Sequence, residues 1–168
     1  MTSISNILDQ LDTENGLEVE KLEKSLKLSR KIDRDNLSIA LNALIKLGIL
    51  NGIDNKKLTI NKEIDFIKGR VRCSSKGFCF VVREDDGEDI YIREANINNA
   101  WHGDIVMVKI TKMGLKRRAP EGSIQCVLKR YNDVLLANIK LDQLTGELNA
   151  YPLDDRISAI IDLKKENK

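Results

Sequence analysis

The feature that most constrains this chain is a pair of short runs with alternating side chains, Lys76-Gly77-Phe78-Cys79-Phe80-Val81 and Asp89-Ile90-Tyr91-Ile92-Arg93. Successive side chains of a strand point to opposite faces. The first run therefore sets Phe78 and Phe80 on one face and Cys79 and Val81 on the other. The second sets Ile90 and Ile92 against Tyr91 and Arg93. Between them lies Glu84-Asp85-Asp86-Gly87-Glu88, a turn-rich connection suited to a hairpin. Folded that way, Phe78, Phe80, Tyr91 and Arg93 share one surface. Aromatics beside cations suit single-stranded nucleic acid, because each base has a flat face to stack and each phosphate a charge to neutralise. The competing reading of the first run puts one phenylalanine in a core and the other at its rim.

Charge supports the first reading. The net charge of +2 is unevenly spread. Residues 1–66 carry 10 basic and 11 acidic groups, residues 67–131 carry 13 and 8, and residues 132–168 carry 5 and 7. The basic excess thus coincides with the aromatic runs, as expected of a nucleic-acid footprint. The three cysteines, Cys73, Cys79 and Cys126, lack zinc-ligand spacing, and His102 is the only histidine. An odd cysteine count without a signal peptide leads to the expectation of a reducing, cytoplasmic setting. No apolar run reaches about 18 residues, so no membrane partner is expected.

In chain order, Ile4, Ile7, Leu8 and Leu11 form a helical stripe over 3–12, with Ser3 placed to cap it and Asn15-Gly16 to end it. A second helix is expected over 18–28. A third runs from an N-cap at Asp33 through Leu47 to a stop at Gly48, with Leu37, Leu41, Leu44 and Ile45 as its buried stripe. Residues 49–53 and 57–60 read as a hairpin, and 61–66 as a linker. Three helices and a hairpin are the order of a winged helix-turn-helix, whose third helix can enter a DNA major groove. Here that helix offers only Arg34 and Lys46 as outward cations in a net-negative segment. Packing on a neighbour or binding a protein is the other reading.

From Ile67 the period switches to two. Strand one presents Lys68, Arg70 and Arg72 outward, and the two aromatic runs follow. A helical turn is expected over 94–100, then the β-prone Ile105–Ile110, a basic loop with Lys116, Arg117 and Arg118, and a fifth strand from Ser123 to Arg130. Five strands with a short helix between the third and fourth is the plan of an oligonucleotide-binding (OB) barrel. His102 has no nucleophile or second ligand near it in sequence, so it and Asp104 read as holding the strand entry by local hydrogen bonds. Asp85-Asp86 and Asp154-Asp155 read as solvated turns rather than metal sites.

The Lys-Gly-Phe-Cys-Phe-Val run resembles the first RNA-binding motif of cold-shock domains, and Asp-Ile-Tyr-Ile resembles the second. Cys79 stands where that family usually has Gly, and Arg93 where it often has His. The resemblance widens with Ala100-Trp101-His102-Gly103-Asp104-Ile105-Val106, Arg118-Ala119-Pro120-Glu121-Gly122 and Lys129-Arg130. Together these are similar to the N-terminal half of ribonuclease R and its relatives in the ribonuclease II family. The resemblance implies an α+β chain. Its parts would be a winged helix-turn-helix (1–66), a five-stranded cold-shock-like OB β-barrel (67–131) and an incomplete second OB domain (132–168).

It also implies the RNA-binding front end of a 3′-to-5′ exoribonuclease, whose magnesium-holding aspartate cluster lies in a later domain. No cofactor is then expected in this chain, and it would not itself hydrolyse RNA. Lys68, Arg70, Arg72, Lys76, Lys116, Arg117 and Arg118 would contact phosphates. Phe78, Phe80 and Tyr91 would stack bases, and Arg93 would stack or contact phosphate. The partner is single-stranded RNA, with no small-molecule substrate. One alternative is a winged-helix DNA-binding transcriptional regulator with an accessory OB domain. Another is a protein-interaction adaptor with incidental basic charge.

Overall fold

The computed structural model describes residues 3–11, 16–53, 57–63, 65–115 and 118–163. The chain divides into two compact units, Met1–Phe66 and Ile67–Lys168.

The first unit holds, in order, α1 (Ile4–Leu11), β1 (Leu17–Glu18), α2 (Val19–Ser25), α3 (Lys31–Lys46), β2 (Leu50–Ile53) and β3 (Lys57–Ile60). The Asn6 amide donates to Ser3 Oγ at 3.2 Å, so Ser3 caps α1. Gly48, at φ +74°, closes α3. Its own amide returns to Ile45 O and that of Ile49 to Leu44 O, both at 2.9 Å. This is the paired closure that a left-handed residue permits, with Ile49 buried behind it. Two expectations for α3 fail. It starts at Lys31, because the cap position is Arg30 and not Asp33. Asp33 lies inside the first turn and accepts from Arg30 Nε and Nη2 at 2.7 and 3.0 Å. Ile45 is exposed, whereas Leu37, Leu41 and Leu44 are buried. Those three follow the 3–4 spacing of one narrow stripe, and Ile45 lies a further step round the helix. A feature absent from the sequence reading is β1, which pairs antiparallel with β3 to give the sheet order β1-β3-β2.

β4 (Phe66–Cys73) begins at the last residue of the first unit and leads into the second, where β5 (Cys79–Arg83), β6 (Ile90–Ile92) and a 3-10 turn at Glu94–Asn96 follow. Then come β7 (Ile105–Lys112) and β8 (Glu121–Lys129). These strands close a barrel in the order β4-β5-β6-β8-β7. The molecule is α+β with a five-stranded OB-like barrel. The inward alternation of each strand fills it, with Val71, Val81, Ile90, Ile92, Val106, Val108 and Ile124 essentially sealed from solvent. β6 and β8 run parallel, and the Tyr91 amide donates to Pro120 O at 2.8 Å as they meet. Where β4 approaches the start of β7, Val71 N donates to Asp104 O and Gly103 N to Val71 O, both at 2.8 Å. Several boundaries differ from the sequence reading, most clearly the starts of β5 and β8. The strand expected at Lys76 starts at Cys79, because Gly77 at φ +81° puts the preceding residues in a turn. The fifth strand starts at Glu121, two residues early, because β6 pairs with it there.

β9 (Ala137–Leu141), β10 (Leu148–Pro152) and β11 (Ile161–Leu163) form a separate open antiparallel sheet. Leu141 and Leu163 both stand opposite Leu148, so the three share a face, and all are exposed. An open three-stranded sheet with one bare apolar face buries little area against the entropy of ordering it. Amide exchange in the isolated chain is accordingly expected to be much faster in β9–β11 than in β4–β8. Exchange monitored residue by residue checks this.

Candidate nucleic-acid interface

The surface begins with what β5 buries. Cys79 and Val81 lie in the core, so the pleat turns Phe80 outward. Phe80 stands between Arg72 of β4 and Tyr91 of β6, and Tyr91 is opposite Glu121 of β8. Arg72, Phe80, Tyr91 and Glu121 therefore form one row across four strands. The Phe80 and Tyr91 rings have centroids 5.4 Å apart and are tilted by 56°, a favourable aromatic geometry. Phe78 precedes β5 and is 53% exposed. Its turn is internally bonded. Ser74 N donates to Phe78 O at 2.9 Å, and Phe78 N to Ser74 Oγ at 3.3 Å. Lys76 is exposed within it. Neither phenylalanine is in the barrel core, so the core-and-rim reading of the run does not describe this fold.

A disulfide closes the base of that turn. Cys73 and Cys79 are directly opposed in the β4–β5 register, 4.1 Å apart at Cα, and bonded. The odd cysteine count led to the expectation of a reducing setting, and a bonded pair runs against that expectation; the hairpin register, not the count, brings the two cysteines together. Cys126 is free, and burial pushes its thiol up to about 11. A bridge around so short a loop removes modest chain entropy from the unfolded state. Reduction, or Cys79→Ser, is expected to lower barrel stability by about 2 kcal/mol, read from denaturant titrations with and without reductant.

The cations sort into two groups. Lys68 pairs with Glu84 at 3.2 Å, and Arg93 donates to Glu121 through Nε and Nη2 at 2.9 and 2.8 Å. Lys112 lies 4.0 Å from the same carboxylate. Arg72 and Lys76 are exposed, and among the described residues no ion pair engages Arg70. Arg118 is exposed and bridges back to Leu115, while Lys116 and Arg117 lie outside the described residues. The acidic β5–β6 connection is partly neutralised within the fold. Arg83 holds Asp85 through two hydrogen bonds at 2.6 Å and draws its carboxyl down to about 2. The row thus gathers Arg72, Phe80 and Tyr91, with Phe78 and Lys76 beside it. Glu121 completes it, an acid that the sequence reading quoted within a family motif and did not name as a site residue.

Beneath one end lies a buried anchor. Asp104 is 1% exposed. It accepts from Trp101 N at 2.8 Å, from Tyr131 N at 3.0 Å and from Arg130 Nη1. Arg130 in turn lies over the Trp101 ring, 4.1 Å from its centroid. The sequence reading gave Asp104 a local role, and only the Trp101 bond is local. His102 also works across the barrel. Its Nδ1 lies 3.0 Å from Cys73 N and 3.1 Å from Cys73 O, and its Nε2 lies 3.1 Å from Arg156. Removing Asp104 leaves a guanidinium and two amides without their acceptor. Asp104→Ala is expected to lower stability by about 3 kcal/mol, measured by urea denaturation.

Comparison with known proteins divides the chain as its compact units do. The family described as "Cyanobacterial RNase R, N-terminal domain" matches residues 5–61, and "Ribonuclease B OB domain" matches residues 69–127. Together the two matches support a place for this chain in the N-terminal region of the ribonuclease R/II family. Among curated relatives, it is 38% identical over 167 residues to the acetazolamide conferring resistance protein zam of Synechocystis, covering 99% of this chain and 21% of that protein. It is 29% identical over 147 residues to ribonuclease R of Aquifex aeolicus, covering 88% of this chain and 20% of that one. The chain thus spans about a fifth of the length of these relatives. A solved ribonuclease R of Mycoplasma genitalium in complex with ribose-methylated single-stranded RNA has a TM-score of 0.43 at 20% identity. It covers 57% of this chain and 14% of that one. The ribonuclease B OB match contains the whole Arg72–Phe80–Tyr91–Glu121 row and ends before Arg130 and Tyr131.

Proposed function

We propose that this chain binds single-stranded RNA through the barrel and serves as the RNA-loading region of a ribonuclease R/II-type 3′-to-5′ exoribonuclease acting in the cytoplasm. The observation that carries this reading is the Arg72–Phe80–Tyr91 row with Phe78 exposed beside it. Bases stack on Phe78, Phe80 and Tyr91, a sequence-tolerant interaction because every base has a π-face. Arg72, Lys76, Lys116, Arg117 and Arg118 neutralise phosphates. Arg93 and Lys68 act less directly, because each already pairs with a carboxylate. The first unit is read as a winged helix, and β9–β11 as the opening of a second OB domain whose bare apolar face is covered in the longer protein. Hydrolysis is assigned to a later domain of that longer protein, together with the magnesium it uses.

Titration with single-stranded RNA against duplex DNA, at several salt concentrations, tests the reading. The RNA is expected to compete more strongly, and affinity to fall with salt as phosphate contacts require. Preference for the duplex would favour a DNA-binding regulator instead. Phe78→Ala or Tyr91→Ala is expected to weaken RNA binding by about tenfold, since stacking is worth roughly 1–3 kcal/mol per base. Thermal melts should stay close to the parent. If the rings were structural, the same substitutions would cost about 3–5 kcal/mol of stability. Lys76→Ala is expected to weaken binding to all sequences alike and flatten the salt dependence.

A further inference from the structure

Tyr131 has no part in the row described above, yet its placement is specified. It follows β8 and is 64% exposed. Its amide donates to the buried carboxylate of Asp104 at 3.0 Å, which ties its backbone to the barrel. Its ring rests where only a glycine leaves room. A Cβ added at Gly103, which sits at φ +92°, would lie 2.6 Å from Tyr131 Cδ1. The guanidinium of Arg70 lies 5.6 Å from the ring centroid, and its Nη1 donates to Gly103 O at 3.0 Å. An exposed aromatic is thus held against the barrel beside an arginine that no carboxylate engages among the described residues. Arg70 and Arg72 are alternate outward residues of β4, about 7 Å apart along the strand. Arg72 is opposite Phe80 in the register. The outer face of β4 therefore connects the Tyr131 corner to the aromatic row.

We propose that Tyr131 and Arg70 form a further subsite for single-stranded RNA, in which a base stacks on Tyr131 and Arg70 takes the adjoining phosphate. This rests on the reading of the barrel as an RNA binder and extends its footprint along β4. A fixed ring beside a fixed guanidinium is what a base with its phosphate requires. Stacking needs a flat face already in place, and the cation neutralises the phosphate without reordering a long side chain. The subsite is engaged only by a strand long enough to leave the Phe80–Tyr91 row.

The test compares fluorescently labelled oligouridylates of about 4 and about 12 nucleotides, the range of site sizes for one OB fold. They are titrated against the full chain and its Tyr131→Ala, Tyr131→Leu, Tyr131→Phe and Phe78→Ala variants. Tyr131→Ala and Tyr131→Leu are expected to weaken the longer strand by about tenfold and leave the shorter one within about twofold. Leu preserves contact with Gly103, so it reports on stacking even if Ala disturbs the corner. Tyr131→Phe keeps the ring and is expected to bind as the parent does. Parental affinity of both Tyr131 truncations for the longer strand, with Phe78→Ala still impaired, would overturn the subsite and leave the main reading standing. Parental binding by Phe78→Ala as well would overturn both.

Discussion

The structure depends on the two-faced character of a β-strand. In β5 the core takes Cys79 and Val81, so Phe80 faces outward between Arg72 and Tyr91. The same constraint in β4 buries Val71 and Cys73 and sends Arg70 and Arg72 out. In β6 it buries Ile90 and Ile92 and leaves Tyr91 on the outer face. Three strands obeying one geometric rule assemble a basic, aromatic surface around an apolar barrel. A register slip of one residue in β5 would bury Phe80 and expose Cys79 and Val81, losing the core and the surface together.

That surface is held by interactions with different reach. The Ser74–Phe78 turn is set by local hydrogen bonds, with the Cys73–Cys79 bridge at its base. The far end is set by Asp104, which draws Trp101, Arg130 and Tyr131 together. A buried carboxylate is costly unless its acceptor sites are filled, and here two amides and a guanidinium fill them. The corner formed by Gly103, Tyr131 and Arg70 follows from that anchor.

The sequence made the barrel and its aromatic row legible because both follow a period of two, which needs no knowledge of partners. It made most of α3 legible through a helical period of its own, carried by Leu37, Leu41 and Leu44. What it did not reveal depends on contacts distant in the chain. The Cys73–Cys79 bond requires the hairpin register, and β1 requires β3 as a template. Arg93 reads as a free cation until Glu121, 28 residues later, is brought beside it. Asp104 reads as a local cap until Arg130 and Tyr131 arrive from the end of β8. Tyr131 carries no periodic signal, because it lies just past the strand that places it. Asp33 is a favoured cap residue and so marks the start of α3 in the sequence, but the helix already begins at Lys31, and Asp33 lies in its first turn bonded to Arg30.

The most direct test of the aromatic surface is to map where RNA touches the chain. Single-stranded RNA containing 4-thiouridine, irradiated in complex with the full chain and followed by peptide sequencing of the adducts, reports contact without any substitution. The account predicts adducts at Phe78, Phe80 or Tyr91. Adducts confined to α3, or to β9–β11, would contradict it.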